Sequence, residues 1–97
     1  MQVNGQKIVV LGTGGTIAGT SAQAGDNIGY MAAQVGVAQL LGAVPGLQQA
    51  AAGAQLVTEQ VAQIDSKDMD TAVWQALAQR CAQHLQDPAV QGVVITH

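Results

Sequence analysis

No phenylalanine occurs in this chain of 97 residues, and Tyr30 and Trp74 are its only aromatic side chains. Its apolar residues, 48% of the total, are dominated by alanine and valine. Such side chains bury little area each, and a short chain already buries a low fraction of its surface. The composition therefore reads as part of a larger α/β domain. Cations are equally scarce: Lys7, Lys67 and Arg80 stand against six acidic residues, for a net charge of -3. A phosphate-tracking surface needs a cluster of cations, which excludes nucleic acid as a partner. No run of like charge and no basic amphipathic segment occurs, which argues against a membrane surface. No apolar run approaches the roughly 20 residues of a spanning helix. Cys81 stands alone, so there is no disulfide framework and no thiol metal site, and one cysteine fits a reducing compartment. His84 and His97 have no partner at ligand spacing, and no metal is expected. The first residues lack the pattern of a secretory leader. The expected location is the cytoplasm, with the periplasm open if the N-terminus is incomplete.

What is present is concentrated in one stretch, Ile8-Val9-Val10-Leu11-Gly12-Thr13-Gly14-Gly15-Thr16-Ile17-Ala18-Gly19. A continuous apolar run, Gln6 to Gly12, predicts a strand buried on both faces, as in a parallel sheet. Glycines and two threonines follow at its carboxyl end, where ligands sit in open α/β sheets. Residues 13–34 show little periodicity and read as a long loop, of the kind that is usually functional or disordered. Tyr30 lies in it, where flanking glycines would let a phenol move in and out of a site.

Val37, Leu40, Leu41 and Val44 have helical spacing, predicting a short helix over 35–44 that Pro45-Gly46 stops. Residues 47–53 add a further helical turn or two. Residues 55–64 predict a second strand. Asp70 is the expected N-cap of a helix over 71–85, with Val73, Leu77, Cys81 and Leu85 as its apolar stripe. His84 reads as a helix-end residue, and Cys81 and Trp74 as packing. Asp87-Pro88 ends the helix, and residues 90–96 predict a third strand. The order βαβαβ with apolar strands means α/β: a mainly parallel sheet with helices on both faces in three layers. The third strand would be left as an exposed apolar edge.

The glycine-rich turn fails as a dinucleotide fingerprint, because the third glycine position, counted from Gly12, is Ile17. It fails as a P-loop because no Gly-Lys-Ser/Thr occurs. It can instead present a hydroxyl nucleophile. Thr16, preceded by Gly14-Gly15, can attack a carbonyl if its proton is taken, with backbone N–H groups stabilising the oxyanion. The plainer alternative is that Thr13 and Thr16 only hydrogen-bond the turn. Asp65-Ser66-Lys67-Asp68-Met69-Asp70, the densest charge in the chain, sits at the end of the second strand. Ser66 can donate to a carboxylate there, and the helix start behind it favours an anion. The alternative is an ordinary capped helix start.

These residues resemble a family. Thr13-Gly14-Gly15-Thr16-Ile17-Ala18-Gly19 is similar to the signature of the bacterial-type L-asparaginases and glutaminase-asparaginases. Tyr30 with Val35-Gly36-Val37 resembles the lid tyrosine and the helix after it. Ala43-Val44-Pro45 continues the match. Ile64-Asp65-Ser66-Lys67-Asp68-Met69-Asp70 resembles the second motif, and Val93-Val94-Ile95-Thr96-His97 the strand leading into the third. The resemblance implies hydrolysis of L-asparagine, with L-glutamine as a further small-molecule substrate, and it implies no cofactor. Thr16 matches the nucleophile that forms an acyl-enzyme, and Tyr30 the residue that orients or activates it. Gly15, Ser66 and Lys67 match substrate-binding positions, Ser66 for the α-carboxylate.

Two departures matter. The family continues after His97 with Gly-Thr-Asp and, later, a lysine and a C-terminal domain. Residues 1–97 are thus expected to be the first part of the family's N-terminal domain, truncated before the third motif. Alone they are expected to be inactive; the full-length enzyme is expected to be a homotetramer. Lys67 stands where many relatives carry Gln or Glu, and its charge is expected to alter recognition of the substrate amine. The competing reading is a noncatalytic ligand-binding or interaction module derived from that fold.

Overall fold

The computed structural model describes residues 6–19 and 36–97. Three parallel strands make one sheet in the order β2-β1-β3: β1 is Lys7–Gly14, β2 is Gln55–Ile64 and β3 is Val90–Thr96. Parallel neighbours need crossover connections. Helices α1 (Val37–Gly42) and α2 (Leu47–Ala50) lie between β1 and β2 in the chain, and α3 (Thr71–Leu85) lies between β2 and β3. Two short 3-10 turns, Thr16–Ala18 and Ser66–Asp68, follow the carboxyl ends of β1 and β2.

The central strand is buried on both faces because its side chains alternate between two layers. Val9 and Leu11 form the core with Leu77 of α3, and Val57, Val61, Val73, Cys81, Val90 and Val93 pack against it. Leu11 is fully buried, which stabilises the fold by roughly 1.5–3 kcal/mol. On the other face, Val10 and Val37 are buried. There α1 lies directly on the strand: a β-carbon on Gly12 would stand 2.5 Å from Val37 Cβ. Below it the packing is looser. A cavity of about 240 Å³ remains among Ile8, Val10, Leu41, Leu47, Leu56 and Val94. Small and medium aliphatic groups close the space incompletely.

The expected bounds of β2, α3 and β3 match the observed ones. Asp70 caps α3 as expected, its carboxylate accepting from Val73 N–H at 3.0 Å. Elsewhere the boundaries move. β1 runs to Gly14, two residues beyond its expected end at Gly12, and Gly15 N–H continues the bonding to Ile64 O at 2.7 Å. The pairing is irregular there: Gly12 lies opposite Gln60, but Gly14 lies opposite Ile64. Gln60 ties the irregularity together. Its Oε1 accepts from Val37 N–H at 2.8 Å, and its Nε2 donates to Ala62 O at 2.6 Å. A strand side chain thus supplies the cap that Gly36 lacks for α1. α2 ends at Ala50, short of the expected residue 53, because Ala52 (φ 56°) and Gly53 (φ 88°) turn left-handed before β2.

Two packing expectations are corrected. Trp74 is 60% exposed and Leu85 57% exposed. The apolar stripe of α3 covers the sheet only through Val73, Leu77 and Cys81. At the other end of the sheet, β3 is an edge strand whose Val94 and Ile95 are each about half exposed, as the sequence implied.

Candidate active site

The carboxyl ends of all three strands meet at one crevice. Because the strands are parallel, Thr13 at the end of β1, Ser66 after β2 and His97 after β3 emerge at the same edge of the sheet. Thr13 has no exposed surface. Its hydroxyl lies 2.6 Å from Thr96 O and 2.9 Å from His97 Nδ1. The other ring nitrogen, His97 Nε2, lies 2.8 Å from Ser66 Oγ. One imidazole thus joins a buried hydroxyl to an exposed one. Beside them is a cavity of about 290 Å³, walled by Met69, Trp74, Leu77 and Ile95. The exposed face of Trp74 belongs to this wall, which its reading as packing did not anticipate.

Gly15 makes room for this arrangement. It has a φ of 71°, and a β-carbon there would stand 2.4 Å from the carbonyl carbon of His97 and 2.7 Å from its ring. His97 fills the space beside this glycine. The Gly15 N–H, bonded to Ile64 O, is likewise committed to the sheet and does not serve as an oxyanion donor.

The two threonines separate. Thr13 is tied to the end of β3 rather than to its own turn. Thr16 opens the exposed 3-10 turn after Gly15, where Ala18 N–H returns to Gly15 O and Gly19 N–H to Thr16 O. Ser66 and Lys67 are both exposed on the turn after β2. The helix behind Ser66 starts at Thr71, as expected. Two N–H groups of the intervening turn are used internally, Asp68 to Asp65 O and Met69 to Ser66 O. Tyr30 lies outside the described residues. Among the described residues no group of three His, Cys, Asp or Glu side chains could hold a metal ion.

The comparisons bear on this geometry. The model of the family described as "Asparaginase, N-terminal" matches residues 7–97. The chain belongs to the asparaginase family. Over 90 residues it is 42% identical to a glutaminase-asparaginase of Pseudomonas fluorescens, covering 93% of this chain and 24% of that protein. It is 41% identical to a probable periplasmic L-asparaginase of Haemophilus influenzae, with the same coverage. The crystal structure of a probable cytoplasmic L-asparaginase from Campylobacter jejuni superposes with a TM-score of 0.85 at 38% identity, over 95% of this chain and 27% of that one. This asparaginase chain thus spans about a quarter of the length of the relatives it matches. The α/β fold expected from the sequence agrees with that neighbour's structure.

Sequence reasoning missed His97 as a site residue. Its one signal was position: it is the first polar residue after a strand that returns beside β1. His84 lies in the last turn of α3, as the sequence implied, and also joins an ion-pair cluster. Its Nε2 lies 3.0 Å from Glu59 Oε1, while Arg80 clasps the same carboxylate at 2.5 and 2.7 Å. The Arg80 guanidinium, aided by His84 and opposed by partial burial, holds the Glu59 carboxyl below the usual range. Asp87 is held low as well, first by Ala89 N–H and then by Lys7 at 3.4 Å. Both clusters join strands to α3 and its end; neither includes a residue of the crevice.

Proposed function

We propose that this asparaginase chain supplies the first part of an enzyme that hydrolyses L-asparagine to L-aspartate and ammonia through a threonine acyl-enzyme. Thr16 Oγ1 attacks the side-chain amide carbon, and ammonia leaves with a proton. Water then cleaves the ester and restores the hydroxyl. The observation that carries this reading is the placement of the two threonines: Thr13 is buried within the sheet, while Thr16 follows on an exposed turn at the carboxyl end of β1. Ser66 binds the α-carboxylate, Gly15 sets the path of the chain into Thr16, and Tyr30 orients or activates the nucleophile. Lys67 alters recognition of the substrate amine, because an ammonium repels another ammonium.

The relatives' names include both L-asparaginase and glutaminase-asparaginase, so L-glutamine is a second substrate in this proposal. The full-length protein acts as a cytoplasmic homotetramer without a cofactor, and residues 1–97 are inactive by themselves. The test is ammonia release from L-asparagine. The full-length protein releases it, Thr16→Ala abolishes release, and the 97-residue chain shows none. A diazo-oxo-norleucine adduct on Thr16 identifies the nucleophile. Ligand binding by the full-length protein with neither turnover nor adduct would instead establish a noncatalytic binding module. Steady turnover by the 97-residue chain would sink the claim of its inactivity.

A further inference from the structure

We infer that binding of a carboxylate at Ser66 is coupled to uptake of a proton by His97 Nε2. The inference rests on the reading of Ser66 as the carboxylate-binding group. Its basis is a count of protons along one chain of contacts. The buried Thr13 hydroxyl has a single proton, and the Thr96 carbonyl oxygen at 2.6 Å can only accept. That proton therefore points at Thr96 O. Toward His97 Nδ1, at 2.9 Å, Thr13 Oγ1 is left as an acceptor, so Nδ1 carries a hydrogen. A neutral imidazole has only one N–H. Nε2 is then bare, and the Ser66 hydroxyl at 2.8 Å donates to it.

In this state the only proton of Ser66 points into the ring. An approaching carboxylate is an acceptor only, so Ser66 must turn its proton outward to bind it. Two sets of lone pairs would then face each other across the Ser66–His97 contact. A proton taken from solvent onto Nε2 removes the conflict: the ring donates to Ser66 Oγ, and Ser66 donates to the ligand. The negative ligand favours the positive ring in turn. The access needed is there, since Ser66 and His97 are both exposed. Among the described residues, the titratable groups on the elements around the ring are Asp65, Lys67 and Asp68 of the turn after β2, and Asp70, whose carboxylate caps α3. In the 97-residue chain His97 also carries the terminal carboxylate. The end of β1 and the wall formed by Met69, Trp74, Leu77 and Ile95 contribute none.

Two measurements test this. Imidazole nitrogen spectra of the 97-residue chain at neutral to mildly alkaline pH should show His97 as the Nδ1–H tautomer with Nε2 unprotonated. An Nε2–H tautomer, or the spectrum of an unfolded histidine, overturns the inference. L-Aspartate is then titrated into the full-length protein at increasing pH. Its Kd should rise by up to about tenfold per pH unit where the free ring is neutral. In His97→Gln, whose amide can donate to Ser66 without taking up a proton, the Kd should be nearly independent of pH. Aspartate binding with a flat profile in the unsubstituted protein, or with the same slope in His97→Gln, overturns the coupling and leaves the asparaginase reading intact. Absence of aspartate binding overturns both.

Discussion

Gly15 and His97 are packed so closely that a β-carbon on Gly15 would stand 2.4 Å from the His97 carbonyl carbon. The glycine also holds a φ of 71°, which side chains other than glycine adopt at a cost. Gly15→Ala is therefore expected to lower stability by about 1–3 kcal/mol and to push His97 away from Thr13. Chemical denaturation measures the first effect. Loss of ring-to-Thr13 proton contacts in NMR measures the second, and their persistence would contradict the packing described.

Thr96 Oγ1 is buried without a hydrogen-bond partner, although the carbonyl of the same residue holds Thr13. The side chain borders the apolar cavity beneath α1 and α2. Thr96→Val keeps the shape and removes the stranded hydroxyl, whose burial costs about 1–3 kcal/mol. A rise in Tm is expected, and a fall would show that the hydroxyl has a partner.

Asp70 accepts from Val73 N–H at the start of the longest helix. Asp70→Ala is expected to cost about 1 kcal/mol, whereas Asp70→Asn, which keeps a capping oxygen, should cost much less. Equal losses in urea denaturation would point to the charge rather than the cap.

Glu59 gives a pH dependence of known sign. Its folded-state carboxyl is held below the ordinary value of 4.5, chiefly by hydrogen bonds from Arg80. The unfolded chain therefore binds more protons than the folded one in that acid range, and stability falls as pH falls. The contribution is present above the ordinary value and is lost as pH drops through the lowered one. Arg80→Ala should lower Tm at neutral pH, and the difference should shrink steadily in acid below pH 4.5. A difference that stays constant into strong acid would assign the effect of Arg80 to packing.

Much of the architecture was legible because its signals are local. Asp70 and the apolar spacing that follows it mark α3, and Asp87-Pro88 separates it from β3. β1 was read too short because the glycines after Leu11 look like loop. The sheet carries the strand on to Gly14 through Thr13 and through Gly15 N–H. Gln60 offered no signal at all. Its link to Val37 exists only because the irregular end of β2 passes beneath the start of α1.

The sequence by itself determined the alternation of strands and helices, the burial of the central strand and the family resemblance, since each rests on neighbouring residues or ordered motifs. Only the tertiary structure decided which threonine is locked into the core and that one imidazole joins Thr13 to Ser66. Thr13 and His97 are 84 positions apart. Whether they touch depends on β3 lying beside β1 rather than beside β2, and strand order is set by packing across the whole sheet.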